Sequence, residues 1–259
     1  MIDANDRIGG RVHTNHSVFN VPFDTHAHWM RASPDNPLLN HSRARGFEVY
    51  RDPGRVEYFV GNRKATDEEL GDLHQTDTLF NSRIKRSALS SASGSDDNAR
   101  TALGEDFFAA SWGYTVASEY GVWDMAQDSA DWSPKSGWSC LDASCWCCTQ
   151  GYVAVVSDYG RAAPVRLRTG ASRIDWSGPD VAVTTSAGTI RARAAILTVS
   201  AGVLAAERIQ FIPSLPPQKQ QAIQDIDMAL MNYIGLLIKK DIFGFGQATY
   251  CLLYTSPSQ

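Results

Sequence analysis

Two adjacent glycines, Gly9 and Gly10, stand between Arg7 and Arg11 in the stretch IDANDRIGGRVHTN, residues 2 to 15. Glycine enters left-handed backbone without steric penalty, so such a pair lets the main chain turn tightly and lets another group come close to it. The flanking arginines supply permanently charged, forked donors, and Asp3 precedes them. Together these residues describe a backbone shaped around an anion. Taken alone, the same pattern also suits an ordinary surface turn.

The remaining chain narrows the choice. With 259 residues, 43% of them hydrophobic, it is long enough for a large core, or for one domain and part of another. No apolar run approaches the roughly 18 to 20 residues that cross a bilayer, and no charged-then-apolar leader opens the sequence, so a soluble cytoplasmic protein is expected. A net charge of −4 and scattered basic residues argue against a nucleic-acid partner, which needs a concentrated basic face. Four of the five cysteines crowd into CLDASCWCC, Cys140 to Cys148, spacing that suits a reducing compartment better than a disulfide framework. Cys145 and Cys148 form a C-x-x-C, but no second ligand pair accompanies them, and no metal site is expected. They read as buried or loop thiols.

Hydrophobic spacing gives the order of elements. NPLLNHSRARGF predicts a short helix closing on Gly46. VEYFVGN predicts a strand and turn, and Thr66 with Glu69 forms a capping box that opens a helix running to about Ile84. Ser87 to Asn98 is small and polar and reads as a loop. A weaker helical stretch covers Ala102 to Ala110, and the Trp-rich region from Trp112 to Trp146 has no legible order. From Pro164 the period becomes two, predicting an antiparallel meander with turns at Ser177–Pro179 and Ala187–Gly188. The continuous apolar run Ala194–Ser200 predicts a strand covered on both faces, as in a parallel sheet. A helix with Pro217 in its first turn follows, then a strand over Leu230–Lys240. The last ten residues, YCLLYTSPSQ, fit no element.

In a dinucleotide-binding fold the pyrophosphate rests on a helix N-terminus after G-x-G-x-x-G, and an acidic residue about 20 positions later binds ribose. Asp3 stands where that acidic residue would end its strand, and Gly9, Gly10 and Arg11 would meet the diphosphate. The earlier strand, glycine turn and helix are not in this sequence.

DANDRIGGRVHT is similar to the E-A-x-x-R-x-G-G-R motif of the flavin-dependent amine oxidases, the family of monoamine oxidases, polyamine oxidases and flavin histone demethylases. Three further blocks follow in the family's order. FDTHAHWMRASPDNPL resembles D-L-G-A-x-W, VRLRTGASRIDW resembles the strand beside the adenine, and GTIRARAAILTVSAGVLAAERIQFIPSLPPQKQQAI resembles the T-x-P-x-G-V-L…I-x-F-x-P-x-L-P block. The resemblance implies FAD as cofactor, with Asp3 on the adenosine ribose and Gly9, Gly10 and Arg11 around the pyrophosphate. It sets Ala27, His28 and Trp29 along the isoalloxazine and the Ala171 main chain against adenine. The implied fold is α/β, an incomplete FAD/NAD(P)-binding Rossmann-like domain over 1–65 and 150–205, interleaved with an α+β substrate domain over 66–149 and 206–249. Residues 250–259 read as a non-native tail, and the chain as a fragment.

The implied activity is FAD-dependent amine oxidation, with a small-molecule amine as substrate and oxygen as final acceptor. Hydride passes from an amine carbon to flavin N5, giving imine and then hydrogen peroxide. The alternative is a non-catalytic flavoprotein-like fragment. Asp3 replaces the family's usual Glu, which keeps the carboxylate but shortens its reach by one methylene, and three further positions depart from the family pattern. His26 stands where glycine is usual and Ser200 where proline is usual. Tyr233 occupies the position at which many members carry a lysine that holds a water against flavin N5, and a phenol is uncharged at neutral pH. No general base is identifiable.

Overall fold

A computed structural model describes residues 1–32, 36–52, 54, 56–90, 97–138, 144–237 and 249–252. Its strands are β1 Thr14–Asn15, β2 Phe23–Asp24, β3 Met30–Ala32, β4 Val49–Arg51, β5 Val56–Val60, β6 Arg63–Lys64, β7 Ser144–Cys148, β8 Ala171–Asp175, β9 Val181–Thr185, β10 Gly188–Ala192, β11 Gln210–Ile212 and β12 Thr249–Leu252. Its α-helices are α1 Pro37–Ala44, α2 Asp67–Ser90, α3 Ala99–Leu103, α4 Glu105–Ala109, α5 Gly113–Ser118, α6 Pro134–Trp138, α7 Tyr152–Gly160, α8 Ala201–Ala205 and α9 Pro217–Gln224. A π-helical turn, Glu119–Trp123, continues α5. Among the described residues no helix is long and apolar enough to cross a membrane.

The chain divides into two compact units, and each takes several passes to build. The first comprises Met1–His28, Pro37–Val49 and Cys148–Tyr233; the second comprises Trp29–Asn36, Tyr50–Cys147 and Ile234–Gln259. These compact units do not coincide with the expected division of 1–65 and 150–205 from 66–149 and 206–249: residues 29–36 and 50–65 fall in the second unit, and 148–149 and 206–233 in the first.

In the first unit the N-terminal residues run parallel to 164–169. Arg166 N donates to Met1 O, Asp3 N to Arg166 O and Thr169 N to Asp3 O at 2.8–3.0 Å, around a bridge between Ile2 and Arg166. A four-stranded sheet follows in the order β10-β9-β8-β11, antiparallel except for β8 with β11, as the alternating sequence requires. Helices α1 and α7 pack together, with the Asp158 carboxylate accepting from Arg45 at 2.9 Å and lying 2.8 Å from His41 Nε2. Arg45 above all, then His41, holds the Asp158 carboxyl below the usual range.

The second unit is organised on α2. Its buried face, Leu73, Phe80 and Ile84, meets Leu103, Phe107, Trp112 and Val116 from the helices that follow, and Trp132 beyond them. The predicted capping box is present: Thr66 N donates to Glu69 Oε2 at 2.8 Å and Glu69 N to Thr66 Oγ1 at 3.3 Å. β5 pairs with β6 across the predicted turn at Gly61, whose φ is +61°, and on its other side with β12 in parallel.

Several expectations need correction. Ala194–Ser200 is not a strand: no described strand pairs with it, so its backbone joins no ladder, and Ile196 is 93% exposed. Leu230–Leu237 likewise forms no strand, and 238–240 lie outside the described residues. α2 continues to Ser90, past both Ile84 and the start of the predicted loop, because Ser87, Ala88 and Leu89 carry no helix breaker; residues 91–96 lie outside the described ones. The Trp-rich region holds α5, the π-helical turn, α6 and β7, while Cys140 lies outside the described residues. Thr249–Leu252 pairs with β5, although the last ten residues fit no element by sequence; 253–259 lie outside the described residues.

Candidate functional site

The Gly–Gly loop is held from within by Arg7. Its guanidinium donates to the carbonyls of Ile8 at 3.3 Å, Gly10 at 2.9 Å and Val12 at 3.1 Å, and Val12 N closes the turn on Gly9 O at 2.9 Å. These bonds commit the loop's acceptors. The amides of Gly9, Gly10 and Arg11 donate to no described acceptor, and the exposed Arg11 guanidinium has no described partner. The uncommitted N–H groups and the Arg11 guanidinium, with the carbonyls tied back, make a cradle of donors whose charge suits an anion.

The two glycines have different tasks. At Gly9, φ is +104°, and an added Cβ would lie 2.8 Å from Val12 O and 3.3 Å from Val153 Cγ2, so glycine is needed for the loop to close on itself and on α7. At Gly10, φ is +54° and nothing lies within 4 Å of an added Cβ, so the main chain there is open to a ligand.

Asp3 is oriented by its own turn. Oδ1 accepts from Asn5 N at 2.8 Å and Asn5 Nδ2 at 3.0 Å, while Oδ2 has no described donor. Thr169, bonded to the Asp3 carbonyl, lies two residues before Ala171, the first residue of β8, and a Cβ added at Gly170 would lie 3.5 Å from Ala4 Cβ. The structure thus sets the stretch around Asp3 alongside the residues that lead into Ala171.

Beyond the loop, β1 pairs with β2, and Asp24 at its end receives Tyr152 N at 3.1 Å and the Thr14 hydroxyl. A carboxylate at the start of α7 satisfies an end amide and complements the helix dipole. Thr14 Oγ1 also accepts from Val153 N at 3.2 Å. Thr25 follows, its Oγ1 2.9 Å from both His13 Nδ1 and His26 Nδ1. His26 and Ala27 are exposed. The His28 ring meets Tyr233 edge to face, with centroids 5.6 Å apart. Trp29 falls in the second unit, where its Nε1 donates to Asp52 Oδ2 at 2.8 Å.

The second unit has a cavity of about 320 Å³ beside α2 and the π-helical turn. Asp77 and Glu119 line it, each bound to a tyrosine: Tyr120 donates to Asp77 Oδ1 at 2.8 Å, and Tyr58 to Glu119 Oε2 at 3.3 Å. Burial, then the neighbouring carboxylates, push the Tyr120 phenol up to about 12, so it stays a donor. Among the described residues no group of three or more His, Cys, Asp or Glu side chains is arranged to hold a metal ion. Burial raises the Cys145 and Cys148 thiols, which disfavours the thiolate that redox chemistry needs.

The profile of the flavin containing amine oxidoreductases matches residues 2–245. The chain belongs to that family. Probable polyamine oxidase 4 of Arabidopsis thaliana is 28% identical over 91% of this chain and 52% of its own length. Polyamine oxidase 3 of Oryza sativa subsp. japonica is 27% identical over 91% and 53%. Lysine-specific histone demethylase 2 of Homo sapiens is 32% identical over a shorter stretch, 34% of this chain and 11% of its own. The chain therefore spans about half the length of the polyamine oxidases it matches. A putrescine oxidase structure with bound putrescine superposes with a TM-score of 0.67 at 15% identity, covering 86% of this chain and 57% of that one, and shares its fold.

FAD is the cofactor of this amine oxidoreductase family, and the cradle at Gly9–Arg11 fits its pyrophosphate in charge and in donor count. Arg7 was legible in R-x-G-G-R, but its task of tying back three carbonyls was not. Asp24, Asp77 and Glu119 carried no signal by spacing, because their partners stand 43 to 128 residues away or on another element.

Proposed function

We propose that the protein to which these residues belong oxidises an amine with FAD, and that the first unit carries the cofactor while the second carries substrate-binding residues. FAD, when bound, supplies the hydride acceptor, so that the amine carbon is left as an imine for water to hydrolyse and oxygen takes up the electrons as hydrogen peroxide. This chain's residues bind and orient. The free amides of Gly9, Gly10 and Arg11 and the Arg11 guanidinium would take the pyrophosphate oxygens, Asp3 Oδ2 would accept from the ribose, and the Ala171 main chain would meet adenine. Ala27 and His28, of the same unit, would lie along the isoalloxazine. The observation that carries the reading is the cradle, with its acceptors committed to Arg7 and its donors uncommitted.

The polyamine oxidases among the relatives and the two carboxylates in the second unit's cavity favour a cationic di- or polyamine as substrate. Carboxylates beside aromatic rings suit an alkylammonium group, with the methylenes against Leu70 and Leu73.

The test is retention of the flavin visible band by the chain after incubation with FAD and gel filtration. We expect Arg11→Ala and Asp3→Asn to lose it while keeping the far-ultraviolet circular dichroism of the unsubstituted chain. Equal retention by both variants would place FAD elsewhere. A colourless unsubstituted chain would favour the second reading, a non-catalytic flavoprotein-like fragment.

A further inference from the structure

We propose that Tyr233 is a positioning residue for His28, acting through its ring and not through its hydroxyl. Two observations carry this. Among the described residues the backbone of 227–233 makes no hydrogen bond, so side chains hold this segment in place. Among the contacts that do so, Met228 lies over Gly202 of α8, where an added Cβ would come within 3.1 Å of Met228 Cγ, and Tyr233 meets the His28 ring. The rings stand at 86° with centroids 5.6 Å apart, the edge-to-face arrangement that aromatic quadrupoles favour.

The Tyr233 hydroxyl is engaged elsewhere. It donates to Met231 Sδ at 3.4 Å, a weak acceptor on its own segment. What Tyr233 offers His28 is therefore a neutral aromatic surface. On the reading of His28 as a flavin-side residue, on which this inference rests, the ring contact fixes the imidazole at the cofactor face, and removing the hydroxyl leaves that face unchanged.

The experiment uses the full chain and two readouts. The His28 imidazole resonance, assigned by its loss in His28→Gln, reports the phenol's ring current, and FAD titration reports the cofactor face. Tyr233→Phe is expected to leave the resonance in place and the FAD dissociation constant within about twofold. Tyr233→Leu keeps bulk but removes the ring. It should move the resonance and weaken FAD roughly two- to tenfold, the range an aromatic pair is worth. Met231→Leu removes the hydroxyl's acceptor without touching the ring, and should behave as Tyr233→Phe does. An unmoved His28 resonance in Tyr233→Leu overturns the proposal. So does Tyr233→Phe or Met231→Leu weakening FAD as much as Tyr233→Leu. If Tyr233→Leu moves the resonance but the unsubstituted chain binds no FAD, the ring contact stands and the flavin reading of the site falls.

Discussion

Gly9 and Gly10 are neighbours with opposite sensitivities, because one faces the protein's own backbone and the other faces open space. An alanine at position 9 would need a left-handed φ of +104° and would press its methyl 2.8 Å from Val12 O. Strain of that kind costs on the order of 1–3 kcal/mol, and the loop would open to relieve it. At position 10 the φ of +54° is one that non-glycine residues do visit, and no atom lies within 4 Å. The stability cost there is nearer 1 kcal/mol. The functional order is reversed in kind: Gly10→Ala leaves the loop built and puts a methyl on its open side, where a diphosphate would approach. Urea unfolding should rank Gly9→Ala well below Gly10→Ala in stability, while Gly10→Ala should lose FAD retention out of proportion to its small loss of stability. Equal midpoints for the two variants would mean that the loop does not close on Val12 as described.

The capping box of α2 is the element whose sequence signal and structure agree most closely, and it also makes a pH prediction. Arg63 first, then the Thr66 amide, lower the Glu69 carboxyl from its ordinary 4.5 to about 2. A folded-state value below the unfolded one means that the stabilisation is complete above pH 4.5 and is lost as pH falls towards about 2. The difference in unfolding midpoint between the unsubstituted chain and Glu69→Gln should therefore be constant near neutrality and shrink through that window; a difference unchanged at pH 2 would show that the carboxylate's charge is not what Glu69 contributes. Such local devices are legible because their partners sit three to six residues apart. The same holds for the meander β8–β9–β10, for α1 closing on Gly46 and for α9 opening at Pro217. Spacing does not report what requires a distant partner. The apolar run Ala194–Ser200 has strand composition, yet among the described residues it has no neighbour to pair with. In the candidate site, the motif residues Gly9, Gly10 and Arg11 were readable in order, whereas the Asp24 cap on α7 exists only once the chain has folded back on itself, and Arg7's clamp, though its partners lie one to five residues away, joins a side chain to backbone carbonyls that no spacing pattern marks.

At the scale of the molecule, the notable surface is apolar. Ile196 is 93% exposed and Leu230 is 90% exposed, both within stretches whose composition is that of a buried strand. Exposed single apolar side chains are ordinary, but runs such as AAILTV and ALMNYIGLL leave contiguous apolar surface in water. Contiguous apolar surface of this kind is where hydrophobic dyes and other protein surfaces attach, and it contributes little to the fold that carries it. The same exposure makes the consequence separable from stability. Replacing Ile196 and Leu230 with aspartate removes side chains that touch little, so the urea midpoint should shift by no more than about 0.5 kcal/mol equivalent. Anilinonaphthalene sulfonate fluorescence and concentration-dependent sedimentation should both fall in the double variant. A large loss of stability instead would mean that these residues are packed in solution, and that 194–200 and 230–237 find strand partners in a second copy of the chain.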